Sequence, residues 1–526
     1  MVVLAAACND EPASAVAGSD TSSGTSVGTT PDATTSATTD TNATTTASTS
    51  TTADATTTSV GESSTSSSTS DAATSGATDS TGSSEDTSGS SSDAETTSGS
   101  TSTEGPACML PDEASSSDDG GTPLDLGAEG GCGNGVIELD EFCDDGNVEP
   151  GDGCENDCTS SDDVAPLWTL TMGGPNSIPD CGSGIVFDSQ NNLIIGGYVL
   201  DDVWIRKYDP NYEELWTVTY PGLVTGSCTD TPLAVDSNDN IAFAGVTGEA
   251  NNANFVFGLL DPDGTEIWSE IYDGPVNRAD FVHGIAVDTQ DNVIIVGTQE
   301  NPMDDVEGAV LKYASDGMLL WSDFFDGGDT SQGGAWDVDT DPCDAVVVSG
   351  FSFSVATGAD IVVRKYEVDG GLEWERTEAT ELTDWGYAIG ADGQGRVVVA
   401  GSELQPPSTY PDFWLRQYDE AGNESWTILE DGGAAGGEQV FAVTTAPSGE
   451  FWASGITSPQ QLNTDAWLRR YAPSGSAIWT RTIYFGGSSN SWRAVARAPD
   501  GRIAAAGSSQ LPFPNDTEAH FAVYPP

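Results

Sequence analysis

Positive charge is scarce in these 526 residues: 15 Lys and Arg stand against 84 Asp and Glu, a formal net charge of −69, and all 15 lie after residue 205. Phosphate backbones are held by basic patches, so nucleic acid is excluded as a partner. Such charge suits a soluble exterior, or cationic and metal partners. Histidine is scarcer still: His283 and His520 are the only two and are isolated from one another, which leaves no histidine-rich metal cluster. There is no nucleophile elbow and no phosphate-binding glycine loop, so the sequence nominates no catalytic residue. No run of about 18 apolar residues occurs, and no membrane-spanning helix is expected.

Large apolar residues are nearly absent from residues 9–131, a stretch of Ser, Thr, Ala, Gly and Asp. It cannot bury a core and is expected to be a disordered tether, with a root-mean-square span of roughly 60 Å. Ahead of it, MVVLAAACNDEP is similar to the end of a bacterial lipoprotein signal, which implies lipidation of Cys8. Two features depart from that pattern: no Lys or Arg precedes the apolar run, and Leu4 lies four residues before the cysteine. An ordinary N-terminus with a stray cysteine is the alternative.

Four of the nine cysteines, Cys132, Cys143, Cys154 and Cys158, fall in CGNGVIELDEFCDDGNVEPGDGCENDC (132–158). So short a module, 132–160, cannot build a core and needs staples: two disulfides in one of three connectivities, with a zinc site as the competing reading. Its CGNG, CDDGN and GDGC segments resemble a cysteine-rich repeat of secreted myxobacterial proteins. Asp144, Asp145, Asn147 and Asp152 could hold a Ca²⁺ or could be solvated turn residues. Cys181 and Cys228 precede the first strand of consecutive repeats at nearly equivalent places, so a Cys181–Cys228 disulfide is expected. Cys108 and Cys343 are left without an assigned partner and could be free.

The rest of the chain repeats. Trp168, Trp216, Trp268, Trp321, Trp374, Trp426 and Trp479 recur at intervals of 48 to 53 residues. Tyr208, Tyr313, Tyr366, Tyr418 and Tyr471 stand eight places before their tryptophans, with Leu260 as the exception. Asp188, Asp236, Asp288, Asp341 and Asp392 precede a recurrent glycine by nine, and become Ala446 and Ala498 in the last two units. In the third unit, GIAVD (284–288) and NVIIVG (292–297) form one hairpin; EGAVLKY (307–313) and LLWSDFF (319–325) form a second. Four strands per period near fifty predict an all-β fold, a seven-bladed β-propeller over 165–526. Its ends are complementary: Trp168 lacks a preceding strand and Tyr524 lacks a following one, so the 167–171 strand is expected to complete the last blade. Each tryptophan is expected to pack between blades, worth about 3–5 kcal/mol.

These units resemble a bacterial seven-bladed propeller repeat family of secreted and surface proteins, a likeness specific for fold and weak for function. The segments LLDPDGTEIW (259–268) and QYDEAGNESW (417–426) are also similar to the tryptophan-docking motif of quinone-dependent dehydrogenase propellers, which implies blade docking and no quinone site.

The variable loops before strand A and between strands B and C share one rim, where a site is expected. One acidic set there, Asp202, Asn254, Glu307, Asp360, Asp412, Asp465 and Glu518, is expected to accept backbone N–H bonds or face Arg206, Arg364, Arg416 and Arg469. A second set, Asp180, Asp230, Asp280, Asp384 and Glu438 with Asn490, either caps its own loops or converges on a cation or cationic ligand, with Ca²⁺ the candidate cofactor. The function expected is an exported, lipid-anchored, monomeric protein of the bacterial envelope or outer membrane, or one secreted outright. It would display a propeller for non-enzymatic binding of a surface protein or glycan and touch the membrane through its lipid alone. The alternatives are a propeller lyase or hydrolase acting on polysaccharide through rim carboxylates, and a plain spacer.

Overall fold

The structure is a computed structural model that describes residues 165–526 apart from 174–179, 200–201, 222–230, 250–251, 277, 304, 327–331, 381, 405–410, 431–436, 461–462, 484–488 and 511–516. Cys8, the tether, Cys108, the cysteine module with its calcium candidates, Cys228 and Asp230 lie outside the described residues.

Every regular element among the described residues is a β-strand. In the third unit Phe281–Val287, Val293–Glu300, Val306–Tyr313 and Leu319–Phe325, strands A to D, pair antiparallel in chain order. Strands A and B outrun the apolar segments 284–288 and 292–297 at the rim, because polar ends still find ladder partners, as in Phe281↔Thr298 and Glu300↔Val306. Four further sheets repeat this meander. The remaining eight strands form one sheet from two meanders, 438–483 and 489–524, bridged by the single parallel pair Thr464↔Ser489. Trp168–Met172 completes the second of these, pairing antiparallel with Ala519–Val523.

The A strands, from Cys181–Phe187 through Ser489–Arg497, touch in chain order, and the last touches the first. Each is covered on both sides, and so is strand B of the third unit, Val293–Glu300, which is apolar on both faces: Val293 and Ile295 pack in one cluster, Ile294 and Val296 in another.

The hairpin aspartate organises its turn. Asp288 Oδ1 accepts the N–H groups of Gln290 and Asn292 at 2.9 Å, while Lys312 Nζ lies 2.8 Å from Oδ2. Lys207–Asp188 and Lys365–Asp341 repeat the buried pair at 2.9 and 3.0 Å. The turns are also linked to one another. Asn191, Asp239, Asp291 and Asp344 sit at φ 62 to 64°, a conformation Asn and Asp tolerate. From there Asp239 accepts from Ser189 and Gln190, Asp291 from Ser237 and Asn238, and Asp344 from Thr289 and Gln290. Asn191 accepts from Asp500, so the chain of turns also joins the last meander to the first.

Neighbouring sheets are locked by the repeated tryptophan. The indole N–H of Trp216, Trp268, Trp321, Trp374 and Trp426 donates to the carbonyl of Pro262, Ser315, Val368, Glu420 and Pro473 at 2.9–3.0 Å. Each acceptor lies two residues past strand C of the next meander, and the ring lies on that turn's glycine. At Gly370, φ +90°, an added Cβ would meet Trp321 Cδ2 at 2.8 Å. Gly370→Ala is therefore expected to cost about 2 kcal/mol from left-handed strain and the displaced ring, read by urea denaturation. In the first meander Tyr212, φ 66°, takes the glycine's place and stacks on Trp168 at 5.3 Å.

Cys181 is buried and disulfide-bonded. Cys343 is disulfide-bonded as well, which corrects the expectation that it could be free.

Candidate functional site

The rim acids come first. Asp280 and Asp384 are buried and turned onto the backbone of their own loops. Asp280 Oδ2 accepts the Gly274 N–H at 2.6 Å and Oδ1 that of Glu300 at 3.3 Å. Asp384 accepts from the Thr380 N–H and hydroxyl at 3.1 and 2.7 Å and from the Leu404 N–H at 3.2 Å. Burial pushes both carboxyls up to about 6 against these donors. Asp180 is buried, and its N–H donates to Thr517 O. Glu438 accepts the Thr457 hydroxyl, and Asn490 is bonded to the Thr464 backbone and hydroxyl. Among the described residues no three His, Cys, Asp or Glu side chains are placed to hold a metal.

The outer acids differ from the expectation at the arginines. Arg364, Arg416 and Arg469 pair with Asp323, Glu378 and Glu430 on strand D of the preceding meander, and Arg206 faces Glu214 on its own sheet. A carboxylate on an adjacent strand faces the guanidinium more directly than one at the start of the same strand. Glu307 instead accepts from Gln299 and Asn301. Open grooves of about 410 and 590 Å³ flank Glu307 beside the outer strands.

A different constellation lies on the inner strands. Six of the seven carry a register shift after their second, third or fourth paired residue, which leaves one residue unpaired: Ser183, His283, Trp336, Tyr387, Phe441 and Arg493. Such bulges twist the strand and re-aim the extra side chain. Thr231 holds the same place in the second meander, five residues before the hairpin aspartate, and its N–H donates to Ser183 Oγ at 3.0 Å.

Successive extra residues meet. The His283 and Trp336 rings lie 4.2 Å apart between centroids, Trp336 and Tyr387 6.1 Å, and Tyr387 and Phe441 5.7 Å. The Arg493 guanidinium sits 5.0 Å over Phe441. Trp385 backs the row, stacked on Tyr387 at 6.4 Å and edge-on to Trp336 at 6.2 Å. The rings are half-buried. Burial pushes the Tyr387 phenol up to about 12, with the Ser402 hydroxyl and the Arg493 charge opposing. It therefore stays protonated at neutral pH. Trp336 Nε1 is enclosed without a hydrogen-bond acceptor.

The set joins an imidazole, a phenol and a guanidinium along an aromatic wall, with small hydroxyls at Ser183 and Thr231. Such a wall suits the apolar faces of sugar rings, and its polar groups can move protons and hold an anion.

No protein family and no curated protein matches the sequence. Among solved structures the chain is similar to the polysaccharide lyase Uly1, at 10% identity and a TM-score of 0.44 over 69% of this chain and 99% of that one. It is similar to the β-propeller domain of the Trilobed protease from Pyrococcus furiosus, at 9% identity and 0.39 over 65% and 93%. A third is an ulvan lyase of polysaccharide lyase family PL25 bound to -[GlcA(1-4)Rha3S]-, at 10% and 0.42 over 68% and 96%. Two of these three are polysaccharide lyases, and that finding corrects the expectation of a non-enzymatic role. No residue or activity passes from them to this chain at such similarity.

Proposed function

We propose that the seven meanders are the seven blades of a propeller enzyme that cleaves an acidic polysaccharide by β-elimination at the inner-strand bulges. The observation that supports this most is the unbroken row from His283 to Arg493, built from a strand position whose residue differs in all seven units. A glycosidase needs two carboxyl groups flanking the bond. The rim acids suited to that role, Asp280 and Asp384, are held on backbone N–H groups, which favours elimination over hydrolysis.

In this reading Arg493 faces the sugar carboxylate, which acidifies the adjacent C–H, and His283 removes that proton as the general base. The electron pair forms a carbon–carbon double bond and expels the neighbouring glycosidic oxygen. Tyr387, protonated at neutral pH, gives that oxygen its proton, and no water is consumed.

The test is incubation of the full chain with a panel of acidic polysaccharides, following both reducing ends and the ultraviolet absorbance of the unsaturated sugar. Both should rise together, and His283→Ala and Tyr387→Phe should each lower the rate by roughly 10²–10⁴-fold. Reducing ends without absorbance would replace elimination by hydrolysis, and no turnover on any polymer would sink the proposal. Export, lipidation at Cys8, display on the 9–131 tether as a monomer, and the Cys181–Cys228 disulfide complete the reading. Globomycin treatment that left processing unchanged, with no acyl chain on the purified protein, would remove the anchor.

A further inference from the structure

Among the described residues, one docking site in the ring of sheets lacks its turn carbonyl. Five tryptophans donate their indole N–H to a turn carbonyl two residues past strand C of the next meander. In the fourth meander Arg376, two residues after Trp374, adds to this by donating to the same turn: Nε to Gly422 O at 2.7 Å and Nη2 to Ala421 O at 3.1 Å.

The sixth meander carries the same pair of donors in Trp479 and Arg481. Its neighbour is the seventh, where strand C, Thr517–Tyr524, is followed in the sheet by Trp168–Met172 from the other end of the chain. There is consequently no turn between strands C and D to supply carbonyls. Pro526, two residues past Tyr524, packs against Gly501 instead. The Arg481 guanidinium lies between the Trp479 and Tyr524 rings, 4.7 and 5.1 Å from their centroids. Arg481 is 8% exposed, and its Nε and Nη1 are enclosed with no hydrogen-bond acceptor.

A buried guanidinium without a counter-charge is costly, and native structures rarely leave one so. Burial here disfavours the charged form, yet arginine does not surrender its proton in proteins. In a chain with 84 carboxylate residues, none of those among the described residues pairs with this cation.

We propose that the Trp479–Arg481 slot binds an oxyanion, a sulfate or carboxylate group that takes the place of the missing turn carbonyls. A planar fork of N–H donors, with an indole two residues before it on the same strand, suits such an acceptor. The same chemistry could come from a free ion or from a charged group on an acidic polymer. The slot is built from outer strands and does not depend on the inner-strand row, so its test is independent of the lyase reading.

The experiment is the thermal midpoint of the full chain titrated with sodium sulfate against sodium chloride at matched ionic strength. Binding to the native state alone should raise the midpoint saturably, by about 2–4 °C, on top of the general salt effect. Arg481→Met should abolish the saturable part, and without sulfate its midpoint should stand at or above that of the unsubstituted protein, since it removes an uncompensated charge. Trp479→Phe keeps the ring, loses the N–H and should need several-fold more sulfate. Arg376→Met, whose fork is already satisfied, should leave the sulfate response intact. A sulfated oligosaccharide acting at lower concentration than sulfate would assign the slot to a polymer, and a response to the free ion alone would assign it to the ion. The proposal is overturned if sulfate has no saturable effect, or if Arg481→Met retains it.

Discussion

Asp341→Ala is expected to lower the unfolding free energy by about 3–5 kcal/mol, because it strands the Lys365 ammonium in the interior. The pair is 3.0 Å apart with both side chains nearly inaccessible, and Glu373 at 3.7 Å is too exposed to replace the lost charge. The same carboxylate also holds the turn, accepting the N–H groups of Cys343 and Ala345. Asp341→Ala with Lys365→Met should recover most of the loss, since removing both charges leaves none uncompensated. The chain already contains that double replacement. In the seventh meander the two places hold Ala498 and Val523; in the sixth, Ala446 leaves Arg470 to turn to Glu450 at 3.3 Å. Urea denaturation measures the comparison, and an Asp341→Ala cost below about 1 kcal/mol would refute a stabilising role for the pair.

Acid should open the seam before it unfolds a typical sheet. His520 is buried where three strands meet, with Nδ1 3.1 Å from Thr171 Oγ1 and Nε2 2.7 Å from Ser509 Oγ. Burial pushes its imidazole down to about 4, against about 6.5 in an unfolded chain. The folded state therefore binds its proton later than the unfolded one. The associated stability is fully present above pH 6.5 and is lost as pH falls through 4, roughly 2–3 kcal/mol in all. Asp280, Asp384 and Asp339, raised to about 6, act oppositely: their contribution is present below about pH 4 and lost as pH rises through 6. The clean measurement is the difference between the protein and His520→Gln, in which these carboxyls cancel. That difference should shrink steadily from pH 7 to pH 4; a constant difference would show that His520 does not titrate in this range.

The tryptophan period was legible because docking is local: one ring, one carbonyl at a fixed offset, one turn. Strand closure was legible for the same reason, since Trp168 and Tyr524 each lacked half of a repeating unit. The inner-strand row was not legible, because Ser183, Thr231, His283, Trp336, Tyr387, Phe441 and Arg493 share no chemistry. What they share is a place, five residues before the hairpin Asp or Ala, near the start of strand A. The sequence marks it only by variation, which the place two residues earlier, from Cys181 to Ser491, shows equally. The rim acids misled in the opposite way: their recurrence was plain, but Asp280 and Asp384 recur because each loop needs an acceptor for its own N–H groups. Counted back eight from the hairpin aspartate, the place of Asp280 is held by Cys228 in the second unit, and Asp230 is two residues out of register.

Among the described strands, Trp168–Met172 is made first and pairs with the one made last, Thr517–Tyr524. At ordinary rates of synthesis roughly 20–70 s separate the two, and through that interval WTLTM has no partner on its own chain. A product that stops short of the final strand keeps two open sheet edges, which pair with other chains when they cannot pair with each other. Joining these two thus makes solubility conditional on length: only a chain synthesised through Tyr524 can hide both edges.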